Sequence, residues 1–473
     1  MFALMVVVFV LGYIAIALEH PLHLDKAATA LLIGALTWVV YVLDYQGILG
    51  LGYSEAWQNY IAQYPEENSV EGMLHFVVDH EVFHHLGDIA SILFFLMGAM
   101  TIVEIIDRHQ GFKIITDQIH TTGTVKLLWI VGILTFFMSS VLDNLTTTIV
   151  MVAMLRKLID DKETRWVFAS IVVLAANAGG AWSPIGDVTT IMLWIGGQVT
   201  AASIIMKVFL PSIVSILVPL AFLSFIMKGE VKRPVTVEDH EETIVPRGES
   251  MLILIMGVSI LLLVPVFKTL THLPPYMGML LGLGILWMTT EIIHKSKPVE
   301  VRSNVSVVSI IRRVDMPTVL FFLGILSAVA SLQSAGQLNI MANFLDEKLG
   351  NIYLINIAIG FLSSVIDNVP LVAGAMGMYQ ITDPAELALM TDAVQIEYLT
   401  HFLQDGLFWE FLAFCAGTGG SILIIGSAAG VAAMGMERID FIWYLKRISW
   451  LAVLGYLAGA GVYYLQAVIL HLA

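Results

Sequence analysis

The sequence predicts an all-α polytopic membrane protein made of two inverted-topology repeats. Three features predict it: apolar content, a repeated hexapeptide, and loop charges that mirror each other. Hydrophobic residues make up 58% of the 473 positions and charged residues only 13%, more apolar surface than a soluble fold can hide. Mean hydropathy is +0.86. "SSVLDN" at 139–144 returns as "SSVIDN" at 363–368, 224 positions later and close to half the chain. Loops carrying Lys and Arg, the mark of a cytoplasmic side, alternate with loops that carry almost none.

Taken in order, the runs at 2–18, 27–43 and 88–106 read as three crossings, each near the ~20 residues that span a bilayer as a helix. The first lacks a basic leader and a small-residue cleavage site, so it reads as a span and not a signal peptide. Residues 127–155 are too long for one crossing. Lys126 precedes them and Arg156, Lys157, Lys162 and Arg165 follow, which predicts a re-entrant hairpin opening to the cytoplasm with "SSVLDN" at its tip. A broken crossing at 167–196, interrupted by Gly179, Gly180, Pro184 and Gly186, and a crossing at 203–227 complete the first repeat, 1–227. A cytoplasmic linker, 228–249, leads to the second repeat, 250–473.

That repeat has crossings at 250–267, 275–293 and 316–333, then a second hairpin at 351–380. The loop after it, 381–405, holds Asp383, Glu386, Asp392, Glu397 and Asp405 with no Lys or Arg, so this hairpin opens outward. A broken crossing at 406–435, with Gly417, Gly419, Gly420 and Gly426, and a last one at 448–470 follow. The region 44–87 also lacks basic residues and reads as an external loop; Lys268 is the one charge out of place. Both termini fall outside. Each half thus has five crossings and one hairpin, and the odd number turns the second half upside down. Further pairs agree: "ILFFLMGAM" (92–100) with "VLFFLGILS" (319–327), and "ANAGGAWSPIGD" (176–187) with "AGTGGSILIIGS" (416–427).

Irregular backbone at membrane depth is tolerated only inside protein or beside a watered cavity, and an ionised side chain there costs about 2.5–3.5 kcal/mol by insertion scales. The breaks nevertheless concentrate polar side chains. We expect a cation- and proton-binding site from Asp143, Asn144, Asn177, Asp187, Thr189, Thr190, Ser363, Asp367, Asn368 and Ser421. Glu104, Ser140, Thr147, Ser183, Ser364, Thr418 and Ser427 are further candidates. Blander roles compete: serines and threonines also back-bond to helices, asparagines make turns, and Asp187 could simply cap "VTTIMLWI". Nearly all the ligands are oxygens, which suit Na⁺ or Li⁺ better than a soft metal. A buried carboxylate without a fixed counter-charge is costly as a bare anion. It holds either a proton or a cation, and each expels the other. Exchange should then rise with pH until protons become scarce. The composition calls for no cofactor and no structural metal. The single Cys415 excludes disulfides and thiolate cages, and a net charge of −15 argues against nucleic acids.

"SSVLDNLTTTIVMVAML", "NAGGAWSPIGDVTTIMLW" and "SSVIDNVPLVAGAMGM" resemble NhaD-type sodium/proton antiporters of the ion transporter superfamily. "ALEHPLHLDKAATALLIG" and "FFLMGAMTIVEIID" fit the same family. The resemblance implies export of Na⁺ or Li⁺ against protons across a bacterial inner membrane. It also implies a scaffold domain, a transport domain carrying both hairpins, an elevator-like movement and a homodimer. Related dicarboxylate transporters carry Ser-Asn-Thr at the hairpin tips, where this chain has an aspartate in each. Other readings are a sodium-coupled carrier of a dicarboxylate or oxyanion, a passive cation channel, and a membrane zinc protease using "HEVFH" at 80–84, with His75 and His85 nearby.

Overall fold

The computed structural model describes residues 1–17, 19–234, 245–295, 297, 298, 302 and 305–469. The ends of the expected crossings at 2–18 and 448–470, and the middle of the 228–249 linker, lie outside these. Among the described residues every regular element is a helix, and one isolated bridge joins Gly123 to Glu230. Eight helices are long and apolar enough to cross a membrane: Lys26–Leu43, Val70–Arg108, Thr124–Leu142, Ala201–Ile226, Arg247–Thr271, Pro275–His294, Met316–Ser334 and Ser449–Val468. The expected crossings at 167–196 and 406–435 are each two shorter helices, Lys162–Ala181 with Val188–Ile195 and Leu407–Gly419 with Ala428–Glu437.

The chain divides into two compact units, each drawn from both sequence halves. The first comprises Met1–Leu93, Asp315–Ile355 and Val369–Phe402. Its centre is the contact of Lys26–Leu43 with Met316–Ser334, where a Cβ on Gly34 would stand 2.5 Å from the Gly324 carbonyl oxygen. Small residues let the backbones touch, the usual basis of helix association in lipid. Trp38 Nε1 then reaches the Ser327 carbonyl at 3.0 Å.

The expected loop at 44–87 is helical instead. Tyr45–Leu49, Glu55–Gln63 and Val70–His75 precede a π-helical turn, Phe76–Glu81, which runs directly into Val82–Arg108. Ser54 and Ser69 cap two of these helices at Trp57 N and Gly72 N. Trp57 and Tyr60 bury their rings against Phe76, with centroids 5.2 and 5.1 Å apart. Amphipathic helices packed through aromatics give no long apolar run, so the sequence showed only their acidity. "HEVFH" lies on this helical stretch, and Glu81 is buried with its carboxylate held by His80 at 3.2 Å and His85 at 3.5 Å. Among the described residues, the side chains that converge closely enough to share a metal are elsewhere.

The second unit comprises Phe94–Val314, Asn356–Asn368 and Leu403–Ala473. Ala201–Ile226 packs on Ser449–Val468 at Gly455 and Gly459, whose missing Cβ atoms leave room for the Ser215 and Pro211 carbonyls. Pro219 has no N–H for the Ser215 carbonyl four residues back, and the glycine seam fills that place. Lys268, the misplaced charge, donates to the Trp194 carbonyl at 2.8 Å and so covers the C-terminal end of Val188–Ile195, where the helix dipole favours a cation. Thr124–Leu142 has 19 residues, about 28 Å at 1.5 Å per residue. This first hairpin arm is as long as a full crossing, unlike the arms Ile352–Ser363 and Asn368–Met378, with 12 and 11 residues.

Candidate cation site

Four helix breaks in the second unit build the site. In the first hairpin, Thr124–Leu142 stops at Asp143 and Asn144–Leu158 begins. Asp143 has φ 74° and ψ 161°, a region essentially reserved for glycine. Its carboxylate caps the second arm, accepting from Thr146 N at 2.8 Å and Thr146 Oγ1 at 2.9 Å. In the broken helix that follows, Asp187 caps Val188–Ile195 through Thr189 N and Thr189 Oγ1, both at 2.9 Å to Oδ1.

The other Asp187 oxygen, Oδ2, accepts from Asn144 Nδ2 at 2.6 Å and Asn368 Nδ2 at 3.4 Å. One buried carboxylate, 1% exposed, is thus held by the asparagines of both "DN" pairs. Asn144 Nδ2 also donates to Asn177 Oδ1 at 3.1 Å. Asn177 Nδ2 in turn donates to Ser421 Oγ at 2.9 Å and Ser427 Oγ at 2.8 Å. Residues from all four breaks are therefore linked through neutral donors and hydroxyls. Asp143 and Asp367 are half-buried and within electrostatic reach of Asp187.

The two halves repeat one another's supporting contacts. Ser139 Oγ donates to the Ala176 carbonyl at 2.6 Å, and Ser363 Oγ to the Ala416 carbonyl at 2.8 Å. A Cβ on Gly179 would run into the Phe136 carbonyl, and one on Gly419 into the Gly360 carbonyl. Gly186 would meet the Ser139 carbonyl at 2.8 Å and Gly426 the Ser363 carbonyl at 2.7 Å. Hairpin and broken helix lie backbone to backbone in both halves, and only glycine permits it. The halves differ where the chemistry lies: Asp187 and Asn177 occupy the positions of Ser427 and Gly417.

The remaining expected residues separate clearly. Ser140, Ser364 and Thr418 donate to carbonyls of their own helices, at Phe137, Phe361 and Phe414. Thr190 does the same at Asp187 O. Ser183 Oγ ties the break to the hairpin tip at the Ser140 carbonyl, 2.5 Å away. Thr147 is fully buried, and its hydroxyl has no hydrogen-bond partner among the described residues. Glu104 pairs instead with Arg108, one turn along its helix at 3.6 Å. Two supports escaped the sequence reading. Tyr444 OH donates to the Ser421 carbonyl at 2.7 Å, and no motif marks it. Glu410, fully buried, accepts from Ser203 Oγ at 2.5 Å, Lys207 Nζ at 3.1 Å and Tyr463 OH at 3.0 Å. An acid inside "LFWEFLAF" was a readable signal.

Comparison with known proteins identifies the family. The family described as citrate transporter, CitMHS, matches residues 6–394. Sodium/proton antiporter 1 of Arabidopsis thaliana is 46% identical over 97% of this chain and 71% of its own length. Sodium/proton antiporter 2 of the same plant is 44% identical over 97% and 98%. The Na(+)/H(+) antiporter NhaD of Alkalimonas amylolytica is 28% identical over 99% and 91%. With the family model matching most of the chain and the antiporter relatives covering nearly all of it, the chain belongs to the citrate-transporter family, as an NhaD-type member of the ion transporter superfamily.

Proposed function

We propose that this protein is a secondary transporter exchanging Na⁺ or Li⁺ for protons by competition at Asp187. One observation carries the reading: a buried carboxylate held by Asn144 and Asn368, with neutral amide, backbone and hydroxyl donors at its hydrogen bonds. The asparagines donate N–H to the anion. Turning either amide over presents its carbonyl oxygen, so the ring that steadies the carboxylate becomes a ligand set for a hard cation. Asp143 and Asp367, within electrostatic reach of Asp187, add further carboxylate oxygens. A proton on Asp187 removes the charge that draws the cation, and a bound cation excludes the proton. Exposure to alternate sides of the membrane turns that competition into antiport.

The membrane and the assembly belong to the same proposal: a bacterial inner membrane, both termini external, two inverted repeats, an elevator-like movement and a homodimer. The family's name keeps a citrate-like anion as the second reading. An aspartate in each hairpin tip and another between them repel such an anion, which favours the cation. Its relatives are transporters, and we assign no catalytic chemistry.

The test is proton flux in everted or reconstituted vesicles on adding Na⁺ or Li⁺, scanned over pH. Wild type should release the proton gradient increasingly as pH rises towards neutrality and above. Asp187→Asn, Asp143→Asn and Asp367→Asn should each lose at least 90% of that flux, about 1.4 kcal/mol or more in driving the step, while remaining folded. Wild-type flux in Asp187→Asn, or sodium-driven uptake of labelled citrate, would overturn the assignment.

A further inference from the structure

Away from the transport site, three helix ends in the second unit bring together two histidines and a glutamate. We propose that His109, Glu249 and His294 form a resident site for one divalent transition-metal ion of the Zn²⁺ class. His109 follows the last turn of Val82–Arg108, Glu249 lies in the first turn of Arg247–Thr271, and His294 ends Pro275–His294. Their ligand atoms all lie within 4.8 Å of one another.

Three further observations point to an ion. Both rings are buried, His109 at 0% and His294 at 1% exposure, although histidine needs no such burial at the polar end of a helix. Second, His109 Nδ1 lies 2.6 Å from the Ile105 carbonyl oxygen and must donate to it. That fixes the tautomer and leaves the Nε2 lone pair facing inward, as in metal-ligating histidines that give their other N–H to a carbonyl. Third, the two Nε2 atoms are 3.4 Å apart. Zinc–nitrogen bonds of about 2.0–2.1 Å in tetrahedral geometry require a nitrogen–nitrogen edge of about 3.3–3.4 Å.

Glu249 completes the set. Its Oε1 lies 2.6 Å from His294 Nε2, a hydrogen bond that an ion would replace as this pair opens to the same edge of about 3.3 Å, while Lys297 Nζ holds Oε2 at 2.6 Å and Oε1 at 2.7 Å, keeping the carboxylate turned towards the rings. A single proton can bridge only one pair of these three atoms. An ion bonds all three and keeps a fourth position for water. Two imidazoles and one carboxylate favour zinc and its neighbours over Mg²⁺ or Ca²⁺, which take oxygen. Both histidines lie at helix C-termini, where the dipole also favours a cation. The ion would pin together helix ends from both halves of the sequence, independently of the transported cation.

The full chain, purified in detergent and stripped with a chelator, is re-equilibrated with Zn²⁺ or Co²⁺. We expect one ion per chain by elemental analysis, unmoved by excess Mg²⁺ or Na⁺. Co²⁺ should give the intense visible band of a tetrahedral site. His109→Ala and His294→Ala should weaken Zn²⁺ binding at least about 100-fold, beyond the 10–100-fold that loss of an outer partner costs. His80→Ala should leave it intact. Absence of stoichiometric ion in wild type, an octahedral Co²⁺ spectrum, or retention in the double alanine variant would overturn the site. The spectrum is read on wild type, so the result stands even where a variant fails to fold. Sodium-driven proton flux is not the readout, which keeps this test separate from the antiport reading.

Discussion

At Asp143 the backbone adopts a conformation that costs a non-glycine residue about 1–3 kcal/mol, and the carboxylate recovers part of that by capping Thr146. We assign the remainder to the proposed exchange. Asp143→Gly should leave stability unchanged or raise it by about 1 kcal/mol, because glycine removes the strain and loses only a few tenths as a cap. Sodium-dependent proton flux should nevertheless disappear. Thermal unfolding in detergent, read beside vesicle flux, checks both halves of that statement, and a lower melting temperature would make the aspartate merely structural. Asp143 itself was legible, because an acid in an apolar run is costly wherever it lies. Its dihedral angles were not, since they follow from how Thr124–Leu142 must turn into Asn144–Leu158. The sequence offered Asp143, Asp187 and Asp367 as members of one site. In the structure the asparagines of the two hairpins converge on Asp187, and only folding shows that convergence.

Helix breaks were legible as elements because glycine and proline announce them: Gly179 to Gly186 and Gly417 to Gly426 fall where Lys162–Ala181 and Leu407–Gly419 end. The helices between residues 45 and 81 were not, since their polar faces mask short apolar stripes and their order depends on Trp57 and Phe76 packing together. The break glycines make an element-level prediction. Gly179→Ala and Gly419→Ala each place a methyl group against a backbone carbonyl that cannot step aside, and overpacking of this kind costs about 1–3 kcal/mol. Gly435, also in a helix, has nothing within 4 Å of its missing Cβ. Gly435→Ala should therefore be neutral or stabilising by up to about 1 kcal/mol. Melting temperatures of the three variants check the contrast, and equal melting in all would dismiss the close approach.

For the whole molecule, sidedness rests on where lysine and arginine cluster, and one cysteine makes it measurable. Cys415 is fully buried, so the wild-type chain should be silent to a membrane-impermeant thiol reagent. Lys157→Cys should be labelled only from the cytoplasmic side and Asp392→Cys only from outside. Labelling of both from one side would refute the inverted arrangement. The paired glycine contacts have a mechanical consequence as well. Where Ser139 is stapled to Ala176 and Ser363 to Ala416 with carbonyls seated on glycine, neither hairpin has slack to slide along its broken helix. Each hairpin arm and its broken helix should then move as one piece, so that polar side chains at a tip and at the break beside it would be carried together.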